Sequence, residues 1–399
     1  MIKALVILTT IAICFQRLSM AIGSIGWGLG IVICLYLLWR EKKQGKLDSL
    51  LEENEGYREH LKLLLLLATV MLWGLFFTDN IGKSAKEYAE MFLYRPFPFI
   101  ISALVLREKK YLKFVLLCFG IVFCADCITC IYQKLAFAEV GWGFGGHHNN
   151  IGSITAVLMP MLVIAMLDSK FTLKEKMFLG TVLFFNIIGS IGSGSRGSWV
   201  TIAFILPFVV LPYVLNNKKK FFICLLACVL ACGALLSIPS LRSRVFSTTN
   251  TNTNYSNIGR FHMWNISMYM IKDHPLGVGA GRYAYNYTKY YDPVYATPKD
   301  AQHLNHPHNN YLKIWVEFGP LGILTYLYVC IAILWYNIRN WLKTKSPYAM
   351  MAWSGWLAFL IYGLFDVIVD HSAVTKIWWF LLGAVLTLEA LDKKGEVYK

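Results

Sequence analysis

Charge is what this sequence has least of. Asp, Glu, Lys and Arg make up 15% of its 399 residues, where soluble domains carry about a quarter. Set against 57% hydrophobic residues, that scarcity excludes an ordinary soluble fold. Soluble-enzyme signatures are missing too: there is no phosphate-binding loop, no paired carboxylates in a supporting context, and no metal-ligand set on one helix face. Gly277-Val278-Gly279-Ala280-Gly281 is glycine-rich but follows no buried strand, which argues against a dinucleotide site. No internal repeat and no low-complexity tail is visible. The ten cysteines all lie in apolar stretches, so no disulfide framework is implied. Cys124, Cys127 and Cys130 have a metal-like spacing, but they sit in the apolar run from Phe114 to Ile131, where cysteine behaves as a small buried hydrophobe. No metal and no cofactor is expected.

What is present is a series of apolar runs approaching the roughly 20 residues that cross a bilayer as a helix. Twelve candidate spans lie near 2–18, 21–39, 61–78, 88–106, 112–132, 151–167, 176–192, 196–215, 221–239, 311–337, 349–368 and 375–391. The chain reads as an all-α polytopic membrane protein of about twelve transmembrane helices: nine in 1–239, one long polar loop at 240–310, and three in 311–391. Ser19-Met20-Ala21 loosely mimics a signal-peptidase site, yet the apolar run continues almost directly into a second span, so an uncleaved first helix is expected. Pro96 and Pro98 predict a kink in the fourth span or a start after them. A very tight turn is expected between Gly189 and Gly197.

The net charge of +15 reads as topology and not as nucleic-acid binding, because the positive residues sit in short runs between spans. Arg40 to Lys46, Arg107 to Lys110, Lys170 to Lys176, Lys218 to Lys220, Arg339 to Lys345 and Lys393-Lys394 fall in alternate loops. Short Lys/Arg-rich loops stay cytoplasmic, which puts both termini in the cytoplasm. The opposite, extracytoplasmic side then holds 79–90, 141–150, 193–198, 240–310 and Asp370-His371. Within the long loop, Phe261, Trp264, Met268 and Ile271 have the spacing of an amphipathic helix on a membrane surface. Tyr283 to Tyr295 is tyrosine-rich.

Four outer clusters carry candidate chemistry. Arg196, in Ser195-Arg196-Gly197-Ser198-Trp199, lies where positive charge is normally sparse. A guanidinium grips two oxygens of a phosphate at once. Arg260 begins the loop helix, where anions are already favoured. In the run His303 to Asn310, His306 and His308 flank a stiff proline, histidine is the readiest general base near neutral pH, and Asn309 or Asn310 can cap the helix that follows. His147, with His148 and Asn149, forms the fourth. Two arginines holding a diphosphate beside a base describe glycosyl transfer from a lipid-linked sugar pyrophosphate at the outer membrane face, inverting and without a metal.

These residues carry a resemblance to the O-antigen ligase and polymerase superfamily of bacterial envelope glycosyltransferases. Ser195-Arg196-Gly197-Ser198-Trp199 resembles its Ser-Arg-Gly segment at a helix start. Gly259-Arg260 with Trp264 resembles its loop arginine motif. His308-Asn309, then Gly319-Pro320-Leu321-Gly322, resembles the histidine motif that closes the loop, and Gly363-Leu364-Phe365-Asp366 its acidic motif in the penultimate helix. The resemblance implies a GT-C-like fold with the ligase-related region near 150–335. It implies Arg196 and Arg260 on an undecaprenyl-pyrophosphate glycan donor and His308 as base or acceptor orienter, with His306, Asn309, Arg282, His147 and Asp366 as further substrate-binding positions. The expected acceptor is lipid A–core, in the bacterial inner membrane. Repeat-unit polymerisation and protein O-glycosylation share the donor and stay open as alternatives. A transporter without chemistry would place its charges near the bilayer midplane of repeated halves.

Overall fold

The computed structural model describes residues 1–137, 140–248, 254–290 and 306–395. Residues 291–305, with His303 and the end of the tyrosine-rich stretch, lie outside the described residues. The described chain is helical, with no strand among the described residues: α1 (Ile2–Phe15), α2 (Met20–Lys43), α3 (Leu47–Glu53), α4 (Glu55–Met71), α5 (Ile81–Tyr88), α6 (Phe97–Ile100), α7 (Lys109–Ala136), α8 (His148–Leu167) and α9 (Leu173–Ser193). There follow α10 (Arg196–Val214), α11 (Lys218–Ser237), α12 (Pro239–Phe246), α13 (Tyr255–Asp273), α14 (Tyr283–Tyr287), α15 (Asn310–Thr344), α16 (Pro347–Tyr362) and α17 (Ser372–Lys393).

Among the described residues, seven helices (α2, α7, α8, α9, α10, α15 and α17) are long and apolar enough to cross a membrane, and α1 is a shorter apolar one. Of the other five predicted spans, 221–239 falls on α11, a helix of 20 residues, and the rest fall on shorter or interrupted helical segments. The fourth is broken as its prolines demand: π-helical Ala89–Tyr94, α6, then π-helical Ile101–Val105. α8 and α17 are buried on nearly every side, while Ile25, Leu29 and Val32 of α2, Ile121 and Ile128 of α7, and Phe204 and Phe208 of α10 stay exposed. A solvent-facing surface would not carry that apolar belt, whereas lipid accommodates it. The chain is a multi-pass membrane protein.

Helix contacts run through small residues, as membrane packing favours. Cys127 and Cys130 of α7 face Gly189 and Gly192 of α9, where an added Cβ would sit 2.5 and 3.0 Å from their sulfurs. This is the packing role expected of these cysteines. Charges sort to two ends. At one, Lys113 pairs with Glu175, Lys170 with Asp392, and Lys394 and Arg107 with Glu53, so the basic loops that the alternating pattern grouped do meet. The candidate site residues gather at the other end.

α15 is the element that builds that end. It breaks at Gly319 (φ 65, ψ −166), followed by Pro320. Proline has no N–H to give the Val316 carbonyl. That oxygen instead accepts Val278 N–H at 3.0 Å, and Glu317 O accepts Gly279 N–H at 2.9 Å. The glycines of 277–281 therefore permit a backbone clip against a broken helix: a Cβ on Gly277 would lie 2.6 Å from Glu317 O. A Cβ on Gly319 would lie 2.7 Å from the Leu276 backbone, in a region only glycine adopts. Gly319→Ala should cost on the order of 3 kcal/mol, read as a lowered unfolding midpoint of the solubilised chain.

α13 forms where the loop pattern predicts a helix, but its buried face is Met263, Ile266 and Met270, packed on Val278, Tyr283, Tyr287 and Val316. Of the residues chosen by spacing, Phe261 and Met268 point outward, 49% and 51% exposed. The helix has apolar residues on both sides, and the sequence pattern did not say which of them meets protein.

Candidate active site

The turn predicted near Gly194 is two residues long. α9 ends at Ser193, Gly194 caps it with φ 56, and α10 starts at Arg196. Its position is fixed by a hydroxyl cluster: Ser195 Oγ lies 3.3 Å from Asn149 Oδ1 and 3.1 Å from Tyr362 Oη, which donates to Asn149 O at 3.0 Å. The start of α8, the α9–α10 corner and the end of α16 are thus sewn together. The 141–147 loop leading to His147 is pinned from α7, where Gln133 holds Trp142 and Gly143 and Asp126 accepts Phe144 N–H at 2.7 Å. Asp126 is itself paired with buried Arg17.

Arg196 donates to Ser247 O at 2.8 Å and reaches Asn254 Oδ1 at 3.4 Å. Its charge is opposed by two others, Arg260 and Arg244. Arg244 donates through Nε to Gly194 O at 2.8 Å. The Arg260 Nε is buried with no hydrogen-bond partner among the described residues. Partly buried like charges and an orphaned donor are costly unless an anion completes them. Arg244 is the functional candidate that sequence reading passed over. Its helix follows α11 directly, and only the fold brings it to Gly194.

The imidazoles assemble around one carboxylate. His308 Nδ1 lies 3.1 Å from Asp366 Oδ1, and His371 Nε2 lies 3.8 Å from Oδ2. The His306 ring centroid is 4.1 Å from that of His308 and 6.2 Å from that of His371. His147 stacks on His148 at 4.5 Å and feels the charges of Asp366, His371 and His308. The two halves of the site meet electrostatically at His148, which senses Arg244, Arg260 and Asp366. The backbone of His308 is left-handed, φ 49. It is held there by Asn309, which caps α15 by accepting Tyr311 and Leu312 N–H at 2.9 and 3.0 Å, and by Trp264 of α13, whose Nε1–H donates to Pro307 O at 2.9 Å. The oxygen of Asn309 is thereby committed to the cap.

Arg282 does not join this cluster. Its guanidinium forks onto Asp79 at 2.6 and 2.7 Å and covers the Tyr285 ring, tying the 277–283 segment to the start of the α5 region. A buried ion network supports the Asp366–His371 loop from below. Lys313 contacts Glu317 at 2.5 Å and Asp370 at 3.0 Å, and Arg95 donates to Val369 O at 2.7 Å and contacts Glu87 at 3.1 Å.

Electrostatics separate the imidazoles. Burial, helped by neighbouring His308, pushes His306 down to about 4, so it is neutral near pH 7. Burial likewise lowers His147. Burial also opposes charge on Asp366 and His371, but hydrogen bonding wins: His308 and then His371 hold the carboxyl well below the usual range, and Asp366 in turn raises His371. A raised histidine stabilises fully below its unfolded pKa of about 6.5 and loses that contribution as pH climbs through its folded value, whereas a depressed aspartate loses its contribution as pH falls through its folded value. The stability difference between wild type and His371→Gln should therefore shrink as pH rises above the unfolded value of about 6.5, measured by thermal unfolding.

Residues 181–327 match the family model described as O-antigen ligase. That segment holds Arg196, Arg244, Arg260, His306, His308 and the Gly319 break, and ends before Asp366. A protein of Haemophilus influenzae described as uncharacterised is 24% identical over 207 residues, 48% of this chain and 52% of the relative. The chain thus spans about half the length of that curated relative. It is a multi-pass helical membrane protein whose 181–327 segment, arginines and paired histidines included, matches the O-antigen ligase family model.

Proposed function

We propose that this chain is a membrane glycosyltransferase of the bacterial inner membrane, with twelve spans, both termini cytoplasmic and its site facing the periplasm. In this reading it moves a polysaccharide from undecaprenyl pyrophosphate onto a sugar of lipid A–core. The observation that carries the reading is the juxtaposition of three guanidiniums, Arg196, Arg244 and Arg260, with an imidazole whose Nδ1 faces a buried carboxylate. Clustered arginines suit a pyrophosphate leaving group, which carries negative charge as the bond to sugar breaks.

The step is a single displacement. An acceptor hydroxyl oxygen attacks the anomeric carbon from the face opposite the pyrophosphate, and the anomeric C–O bond to phosphate breaks with its electron pair. His308 Nε2 takes the hydroxyl proton. With its Nδ1 proton turned to Asp366, the ring keeps the Nε2 lone pair free, the arrangement that makes histidine an oriented base. Configuration inverts, and no metal takes part. Neutral His306 and His147, together with the Asn309 amide, line the acceptor side. Arg282 serves the scaffold.

Deleting the protein in its host and examining the glycan tests this. The ligase reading expects polymer retained on the lipid carrier and none on lipid A–core. Single repeat units on the core would indicate a polymerase instead, and loss of glycan from secreted proteins an O-glycosyltransferase. Normal glycan of all kinds would sink the transferase reading.

A further inference from the structure

Five of the nine histidines (His147, His148, His306, His308 and His371) gather around the single carboxylate of Asp366. Proton abstraction uses one of them. His306, His308 and Asp366 each present a donor atom, and all three atoms lie within 4.8 Å of one another. Donors on a tetrahedral zinc ion, about 2.1 Å from the metal, stand about 3.4 Å apart. His308 Nδ1 and Asp366 Oδ1, at 3.1 Å, are already near that spacing. The supports are those a metal site needs. Asp366 Oδ1 is fixed by Val367 N–H at 2.9 Å, and His306 is fixed by the His308 N–H, which its Nδ1 accepts at a long 3.3 Å. An Nδ1 that accepts is unprotonated, and its one lone pair can leave this long contact for a metal ion. His371 Nε2 stands beside the set as a fourth candidate ligand. Two imidazoles and one carboxylate suit zinc, whereas magnesium and calcium want oxygen alone.

We propose that His306, His308 and Asp366 form a binding site for a zinc-class divalent ion, and that an ion held there silences the enzyme. The silencing follows from the tautomer. Metal on His308 Nδ1 leaves the ring's one proton on Nε2, the nitrogen that must receive the acceptor's proton. That second half rests on the reading of His308 as the base. The ion is an inhibitor in this scheme and has no part in the transfer.

Zinc chloride titrated calorimetrically into the EDTA-stripped, full-length, detergent-solubilised chain should give one ion per chain. His306→Gln and Asp366→Asn should each weaken binding at least about tenfold. No binding by the wild type, or equal affinity in both variants, overturns the site. Because Asp366→Asn can unfold the chain, the wild type is also loaded with Co2+. The intense visible absorption of a four-coordinate site is expected, and only the weak spectrum of hydrated cobalt would overturn the proposal. In a transfer assay, saturating zinc should lower the rate at least about tenfold and EDTA should restore it. Binding without inhibition overturns the silencing. Binding to a chain that is inactive even when metal-free refutes the transfer reading and leaves the ion site standing.

Discussion

His308→Asn is expected to lower glycan transfer by roughly 10²–10⁴-fold, the range that loss of a positioned general base produces. The measure is polymer attached to lipid A–core by the purified chain, or in cells lacking the native protein. Asparagine is the informative replacement because His308 has a left-handed backbone, φ 49, which asparagine tolerates better than alanine. The cap by Asn309 and the Trp264–Pro307 bond can then survive, and the unfolding midpoint should move little. Asp366→Asn should also impair transfer, because an amide can donate to Nδ1 and turn the imidazole proton onto Nε2. A His308→Asn chain that keeps more than about a tenth of wild-type transfer would rule the imidazole out as base.

The second large effect concerns the guanidiniums. Arg196→Ala and Arg260→Ala should each reduce transfer by about 10²–10³-fold, as removal of one donor to a developing anion does. Lysine should rescue poorly, because an ammonium cannot present the planar fork. Stability should respond in the opposite sense at Arg260. Its Nε has no partner among the described residues and its charge repels Arg196, so Arg260→Ala should leave the unfolding midpoint unchanged or raise it. An arginine kept for structure would give the reverse: a less stable chain that still transfers.

Several parts of this arrangement are legible in the sequence. The alternation of basic loops foretold which ends meet, because charge in short loops is a local signal of side. The turn at Gly194 was legible because glycine between two apolar runs has few other uses. Arg196 and His308 stood out because ionisable groups at span ends need a reason, and Arg260 because it was expected at the start of the loop helix, although α13 begins a turn earlier at Tyr255. Other features depend on contacts distant in sequence. Arg244 meets Gly194 across 50 residues, and His371 acquires meaning only from Asp366 and the rings facing it. Arg282 looked like its fellow arginines until Asp79, 203 residues away, claimed it. The inward face of α13 could not be chosen from spacing, because Met263, Ile266 and Met270 are as apolar as Phe261 and Met268.

The break at Gly319 has a mechanical consequence. The first turns of α15, which begin at the His308–Asn309 cap, are not continued by an unbroken ladder into the rest of the helix. Their last carbonyls are gripped by the amides of Val278 and Gly279. That short helical stub is therefore clamped at both ends, at its cap by the Trp264–Pro307 bond and at its last carbonyls by the buried 277–279 segment, so the imidazole is aimed by contacts from the polar loop and not by the long half of the helix.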